Sequence, residues 1–275
     1  MVVEFDVDLG SGAVLHGYDT GEGHLAVMWH HGTPNVGAPP EPLFGLSQEL
    51  GLRWISYDRP GYGGSSRLAN RDIASAARFA AAIADDRGID QFAVVGHSGG
   101  GPHALACAAL LPDRVRGVVS VAGLAPFDAT DSDWFAGMYR GGGKELRAAV
   151  AGPAELAAVL QSGDFDPEMF TASDHRALTG DWNWLNSVVG PALQNGPGGM
   201  IDDDLAYVRT WGFDPTSIAV PALIMHGAQD RIVPISHGEA LVAMIPSARA
   251  IWGPTDGHLS VLQSVPDALR WISRL

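Results

Sequence analysis

The sequence predicts an α/β fold built on a mostly parallel sheet with helices on both faces. Strand-like, largely apolar runs with little alternation recur at residues 25–29, 92–95, 115–122 and 222–226, as in strands buried on both sides. Helix-compatible stretches separate these runs, and parallel neighbours need such crossover connections. Clusters of glycine, proline and polar residues follow the runs, at the strand ends where sheets of this kind bind their ligands.

The elements follow in order. Val3, Phe5, Val7 and Leu9 alternate with Glu4, Asp6 and Asp8, the pattern of a half-exposed strand. A turn at 10–12 leads to a second strand at 14–18, so the chain is expected to open as an antiparallel hairpin. The run 25–29 then empties into His30, His31, Gly32, Thr33 and Pro34. Gly32 allows a tight path and Pro34 fixes the chain beyond it, which leaves the Thr33 amide as a donor into a cleft. A metal at the paired histidines is disfavoured, because adjacent side chains diverge and no further ligand stands at ligand spacing nearby. A helix is expected at 42–50, a strand at 53–57, and then a shaped loop of turn formers from Asp58 to Ser65. Asp58 and Arg59 are expected to pair with each other and brace that loop. Ile73, Ala76, Ala77, Ala80 and Ile83 share one helical face, which predicts a helix over 70–85 capped by Asn70.

The stretch 92–101, FAVVGHSGGG, carries the strongest chemical signal. Its apolar strand ends at Gly96, and Gly96, His97, Ser98, Gly99 and Gly100 fit the G-x-S-x-G nucleophile elbow, a strained turn that presents a serine hydroxyl clear of the sheet. An Ala- and Leu-rich helix follows at 102–111, with its proline near the start. Ser98 would then sit at the positive end of a helix dipole, with the Gly99 amide facing any oxyanion.

From 126 to 215 the strand pattern stops. Helix-compatible stretches at 144–151 and 153–161 are interrupted by breaks at 141–143, 163–167 and 195–199. We expect a helical cap at 126–215, inserted into a core formed by residues 1–125 and 216–275. Trp134, Met138, Trp182 and Trp184 of the insert are expected to line a substrate cleft. Asp202, Asp203 and Asp204 are expected to be a solvated acidic face or a helix start, not a cation site. The sheet resumes at 222–226, followed by a loop from Gly227 to Pro234, a helix at 236–245, a strand at 248–252 and an amphipathic helix at 266–275.

Composition narrows the function. The chain has 275 residues, 46% hydrophobic and 17% charged, which excludes global disorder. A net charge of -14 without a Lys/Arg run argues against a nucleic acid partner. No apolar run reaches bilayer length and the first residues lack a secretory pattern, so no membrane partner and a cytoplasmic location are expected. Cys107 is the lone cysteine, expected as a small core residue, and it leaves no disulfide and no Cys-based metal site.

A serine hydroxyl needs a neighbouring base, and the base needs an acceptor that fixes its tautomer. On this kind of sheet the partners follow in the order Ser, Asp, His. Asp230 and His258 each lie just beyond an expected strand end, and Gly257 suits a loop brought close to the site. His97 and His103 are rival bases, the first adjacent to Ser98 and the second expected to pack in the helix layer. Asp128, Asp131, Asp133 and Asp256 are rival acids.

Together these residues resemble the α/β-hydrolase superfamily, in its cap-bearing serine hydrolase branch. His31-Gly32-Thr33-Pro34 looks like the HG-x-P oxyanion loop, and Asp58 to Ser65 like the D-x-x-G-x-G-x-S turn. Gly96 to Gly100 is similar to the elbow, Gly227 to Pro234 to the G-x-x-D-x-x-V-P acid loop, and Gly257-His258 to the terminal base. The resemblance implies an eight-stranded, mostly parallel sheet with its first strands antiparallel. It further implies a triad of Ser98, Asp230 and His258, oxyanion amides at Thr33 and Gly99, and no metal or organic cofactor. Haloalkane dehalogenases and epoxide hydrolases carry aspartate at the elbow, which argues against both. Proline iminopeptidases carry Gly-Gly-Ser-Trp-Gly there, and haloperoxidase-like perhydrolases and carboxylesterases remain closest. The implied function is hydrolysis of a carboxylic ester or lactone of a small to medium apolar substrate through an acyl-enzyme. Aminopeptidase or amidase activity, and a non-catalytic receptor on the same fold, are the alternatives.

Overall fold

The computed structural model describes residues 1–10, 12–127, 133–162 and 166–275. The chain opens as the expected hairpin, β1 (Val3–Asp8) against β2 (Val14–Asp19), with Val3 opposite Asp19. The other strands are β3 (Leu25–His30), β4 (Leu52–Tyr57), β5 (Phe92–His97), β6 (Val115–Val121), β7 (Ala222–Gly227) and β8 (Ala248–Gly253). They form one eight-stranded sheet in the order β1-β2-β4-β3-β5-β6-β7-β8. β2 runs antiparallel to β4, and every pairing from β4 onward to β8 is parallel.

β3, β5 and β7 are buried at every position, which is why their sequences do not alternate. Successive side chains point to opposite faces and so separate into distinct cores. Met28, Phe92, Val94, Val118 and Ile224 belong to one core. Val27, Trp29, Val95, Val119 and Met225 belong to the other.

The helices are α1 (Phe44–Glu49), α2 (Ser75–Asp86), α3 (Gly100–Leu110), α4 (Arg140–Ala151), α5 (Pro153–Ser162), α6 (Ala172–Thr179), α7 (Leu185–Ala192), α8 (Gly198–Tyr207), α9 (Ile235–Met244) and α10 (Val265–Ile272). α2, α3 and α9 cover the first core, whereas α1 and α10 cover the second. α3 is buried from Gly100 to Ala108, so small residues let it lie close to the sheet, and Cys107 is one of them. α4 to α8 fall between β6 and β7, and no strand occurs there among the described residues. None of the helices among the described residues is long and apolar enough to cross a membrane.

Some local expectations are corrected. α2 starts at Ser75, and Asn70 is no cap because it takes a left-handed φ of 60°. Asp72 does the work instead, accepting from the Ser75 amide at 2.8 Å and its hydroxyl at 2.6 Å. Gly141 to Gly143 lie inside α4 and do not interrupt it, because neighbouring helices supply the packing that propensity lacks. The break at 195–199 ends where α8 begins at Gly198. Ser11 and residues 163–165, part of two expected turns, lie outside the described residues.

Candidate active site

β5 delivers the chain into a sharp turn in which Ser98 adopts a φ of 53°. A left-handed non-glycine residue costs roughly 1–2 kcal/mol. One fully buried Val or Leu side chain contributes about 1.5–3 kcal/mol, so the flanking cores easily hold the strain. The glycines have a packing reason. A Cβ on Gly96 would overlap the Gly100 carbonyl, and one on Gly100 would overlap the His30 carbonyl.

The structure brings Ser98, His258 and Asp230 together. His258 Nδ1 lies 2.8 Å from Asp230 Oδ2, and its Nε2 lies 2.8 Å from Ser98 Oγ. A carboxylate only accepts, so Nδ1 carries the proton and the Ser98 hydroxyl donates to Nε2. The second oxygen of Asp230 accepts from the Ile232 amide at 2.8 Å and the Val233 amide at 2.9 Å. His258 and Asp230 are buried, and Ser98 is half-buried. Burial alone would raise the Asp230 carboxyl, yet the charge of His258 and hydrogen bonds from His226 and His258 hold it well below the usual carboxylate range. Burial also opposes the charged form of His258, but the charge and hydrogen bond of Asp230, helped by the charge of Asp174, raise it above 6.5.

The rival residues lie elsewhere. His97 Nε2 donates to the His258 carbonyl at 3.2 Å, and burial with the nearby His258 charge pushes His97 down to about 3. His103 donates from Nδ1 to the Gly99 carbonyl at 2.7 Å. Asp133 is exposed opposite Arg147 at 3.5 Å. Asp256 is half-buried, its carbonyl taken by the Gln229 amide. Asp128 and Asp131 lie outside the described residues.

The loop after β3 is tied down from several sides. His31 donates from Nδ1 to the Gly32 carbonyl at 2.7 Å and accepts the Arg59 amide on Nε2 at 2.9 Å, so its ring is neutral. Burial and the charge of Arg59 keep it so. Among the described residues no group of three or more candidate ligands could hold a metal ion. Arg59 donates to the His31 carbonyl, to the Gly32 carbonyl at 3.1 Å and to Thr33 Oγ1 at 2.9 Å.

Two sequence expectations fail here. Asp58 and Arg59 do not pair, because successive side chains leaving β4 point to opposite faces. Asp58 accepts from the Gly37 amide at 2.5 Å, the Gly64 amide at 2.9 Å and Tyr18 Oη at 3.1 Å. Arg59 pairs instead with Asp203 at 2.7 Å. Asp202, Asp203 and Asp204 are all buried, not solvated: the first two rest on cations from the segment after β4, whereas Asp204 faces Glu145 of α4. Asp202 meets Arg67 at 2.8 Å, and Asp203 meets Arg71 at 2.5 Å as well as Arg59.

Tyr207 and Asp174 carry no expectation in the sequence, and Asp203 only that of a solvated face or helix start. Asp174 Oδ1 accepts from the Leu259 and Ser260 amides, each at 2.8 Å, immediately after His258. Its local signal, the Thr171-x-x-Asp174 capping box that starts α6, was present in the sequence, but the remote amides were not. The expected cleft residues sit mostly in packing. Trp134 is buried against Phe127, Phe135 and His237, and its Nε1 donates to the Ala125 carbonyl at 2.9 Å. Met138 is half-buried against the same core, whereas Trp182 is buried in the other core with Trp184 packed against it.

This architecture has relatives. The chain is 28% identical over 254 residues to the 2-hydroxy-6-oxononadienedioate/2-hydroxy-6-oxononatrienedioate hydrolase of Comamonas testosteroni, covering 89% of this chain and 84% of that protein. It is 31% identical over 263 residues to the non-heme chloroperoxidase of Streptomyces lividans, covering 90% and 91%. The enol-lactonase structure from Burkholderia xenovorans LB400 has the same fold, with a TM-score of 0.71 over 98% of each chain at 19% identity. The alpha/beta hydrolase fold family matches residues 26–265. The chain therefore belongs to the α/β-hydrolase family, whose fold supports hydrolase activity.

Proposed function

We propose that the protein is a serine hydrolase that cleaves a carboxylic ester or lactone of a small to medium apolar substrate. The observation that carries this reading is the continuous hydrogen-bonded relay from Ser98 Oγ through His258 to Asp230, 2.8 Å at each step. Ser98 Oγ attacks the carbonyl carbon while His258 Nε2 takes its proton, and Asp230 stabilises the imidazolium. The amides of Thr33 and Gly99 hold the oxyanion. On collapse, His258 protonates the leaving alkoxide and the acyl group stays on Ser98. Water, deprotonated by the same imidazole, then releases the acid. The helical insert at 126–215 acts as a cap over this cleft.

The Comamonas relative is named for a dioate, a substrate with two carboxylates. Here Arg59 and Arg71, the buried cations beside the oxyanion loop, both pair with Asp203, which favours an uncharged carbonyl substrate. Neutral short-chain esters and lactones are therefore the first substrates to assay. Ser98→Ala is expected to lower turnover of p-nitrophenyl esters by on the order of 10³-fold or more, with an unchanged circular dichroism spectrum. Fluorophosphonate labelling should vanish with it. Undiminished turnover in the folded variant, or a wild-type serine that takes no label, would reject the reading.

A further inference from the structure

We propose that Tyr207, anchored through α8 by Asp203, is a positioning residue that sets the spacing between Thr33 and Gly99, whose amides form the oxyanion hole. The inference rests on the serine hydrolase reading above. Thr33 and Gly99 come from separate loops, one after β3 and one opening α3, so their amides converge only if something fixes the gap. Tyr207 Oη lies 2.8 Å from Thr33 Oγ1 and 3.1 Å from the Gly99 carbonyl. It therefore touches both residues at once. A Cβ on Gly99 would overlap Tyr207 Oη and Thr33 Oγ1 together, so the three groups meet at one point.

The direction of the hydrogen bonds follows from the chemistry. The Gly99 carbonyl only accepts, so it takes the phenol proton of Tyr207 and the Nδ1 proton of His103. Burial, reinforced by the charge of Asp203, keeps that phenol protonated. Thr33 Oγ1 receives Arg59 Nη2 at 2.9 Å, and its one proton is shared between two acceptors, Asp203 Oδ2 at 2.9 Å and Tyr207 Oη at 2.8 Å. Asp203 is fully buried and takes further bonds from Tyr62 Oη at 2.8 Å, Arg59 and Arg71. Asp203 and Tyr207 stand four residues apart in α8, which puts anchor and phenol on one helix face. Oxyanion donors act only when aimed at the developing charge, and errors of about 0.5 Å already cost rate.

Tyr207→Phe removes the hydroxyl and keeps the ring that packs edge-on to His103. The expected result is a kcat lower by about tenfold or more with the ester KM unchanged, and a Ki for a trifluoromethyl ketone raised by the same factor. The acid limb of the pH profile should not move, because His258 is untouched. A merely structural role would lower the melting temperature without that matched change in Ki. If Tyr207→Phe does not fold, Thr33→Val, which deletes the other hydroxyl of the bridge and keeps the Thr33 amide, is expected to show the same signature. Wild-type kcat and Ki in a folded variant would overturn the inference. That outcome leaves the serine hydrolase reading intact if the wild type still takes the fluorophosphonate label, whereas an unlabelled wild type sinks both.

Discussion

His258 titrates between opposing pressures, and the balance sets where the enzyme should work. Burial favours the neutral ring, while Asp230 at 2.8 Å and the charge of Asp174 favour the cation, with a net rise above 6.5. A general base must be neutral, so kcat/KM is expected to fall with decreasing pH along a limb centred above 6.5. Asp230→Asn leaves only the charge of Asp174 to oppose burial, and the limb should then move to lower pH. Turnover should drop on the order of 10⁴-fold at the same time, because the tautomer is no longer held. A pH-rate profile of both proteins checks this, and an unmoved limb would mean that Asp230 does not govern the base. Linkage gives the two residues opposite signs. The raised His258 contributes stability that is complete below 6.5 and lost as pH rises through its folded value. The depressed Asp230 contributes stability present above about 3.9 and lost as pH falls toward its folded value. The Ser98 turn was legible because its signal occupies consecutive residues. The hydroxyl of Tyr207 was not, because its two partners lie in loops far from it along the chain.

At the scale of elements, α6 shows how one carboxylate can serve two structures. Asp174 Oδ2 closes the capping box with the Thr171 amide at 3.0 Å, and Oδ1 accepts the Leu259 and Ser260 amides. Asp174→Ala would leave those buried donors unpaired, at a cost of roughly 2–4 kcal/mol. The loop carrying His258 would loosen as well, so kcat should fall alongside the midpoint of urea unfolding. A lower midpoint with wild-type kcat would show that the loop is held without α6. The element order was readable because strand and helix periods differ so strongly, whereas helix starts depended on capping. Asp72 and Asn70 are both chemically suitable caps, but α2 starts at Ser75, three residues from Asp72 and five from Asn70, whose backbone is left-handed. The acidic run at 202–204 was misread for a related reason. Composition shows the charges but not Arg59, which lies 144 positions away from Asp203.

Across the whole molecule, the helices between β6 and β7 are attached to both halves of the candidate site. α8 reaches the loop after β3 through Asp203 and Tyr207, and α6 reaches the His258 loop through Asp174. The sequence showed the segment between β6 and β7 as a loss of strand pattern, yet these attachments depend on packing between distant segments. Glu145 of α4 and Asp204 of α8 add a pH-dependent contact among these helices. Burial pushes Glu145 up to about 7, and burial with the charges of Glu145 and Asp203 holds Asp204 well above its usual range. A carboxyl whose folded pKa is raised contributes stability that is complete below its unfolded value, about 4.3 for Glu, and is lost as pH rises through the folded value. The wild-type Tm is therefore expected to fall from about pH 4.3 to about 7, the range in which the unfolded chain has lost a proton that folded Glu145 still holds. Glu145→Gln keeps a neutral partner beside Asp204, so its Tm should exceed that of the wild type by an amount that grows across the same window. Because α8 also carries Tyr207, wild-type kcat should decline as pH rises through the folded Glu145 value of about 7, and Glu145→Gln should flatten that decline. A Tm difference that stays constant from about pH 4.3 to 7 would separate the carboxyl pair from both effects, leaving α8 held by its arginines alone.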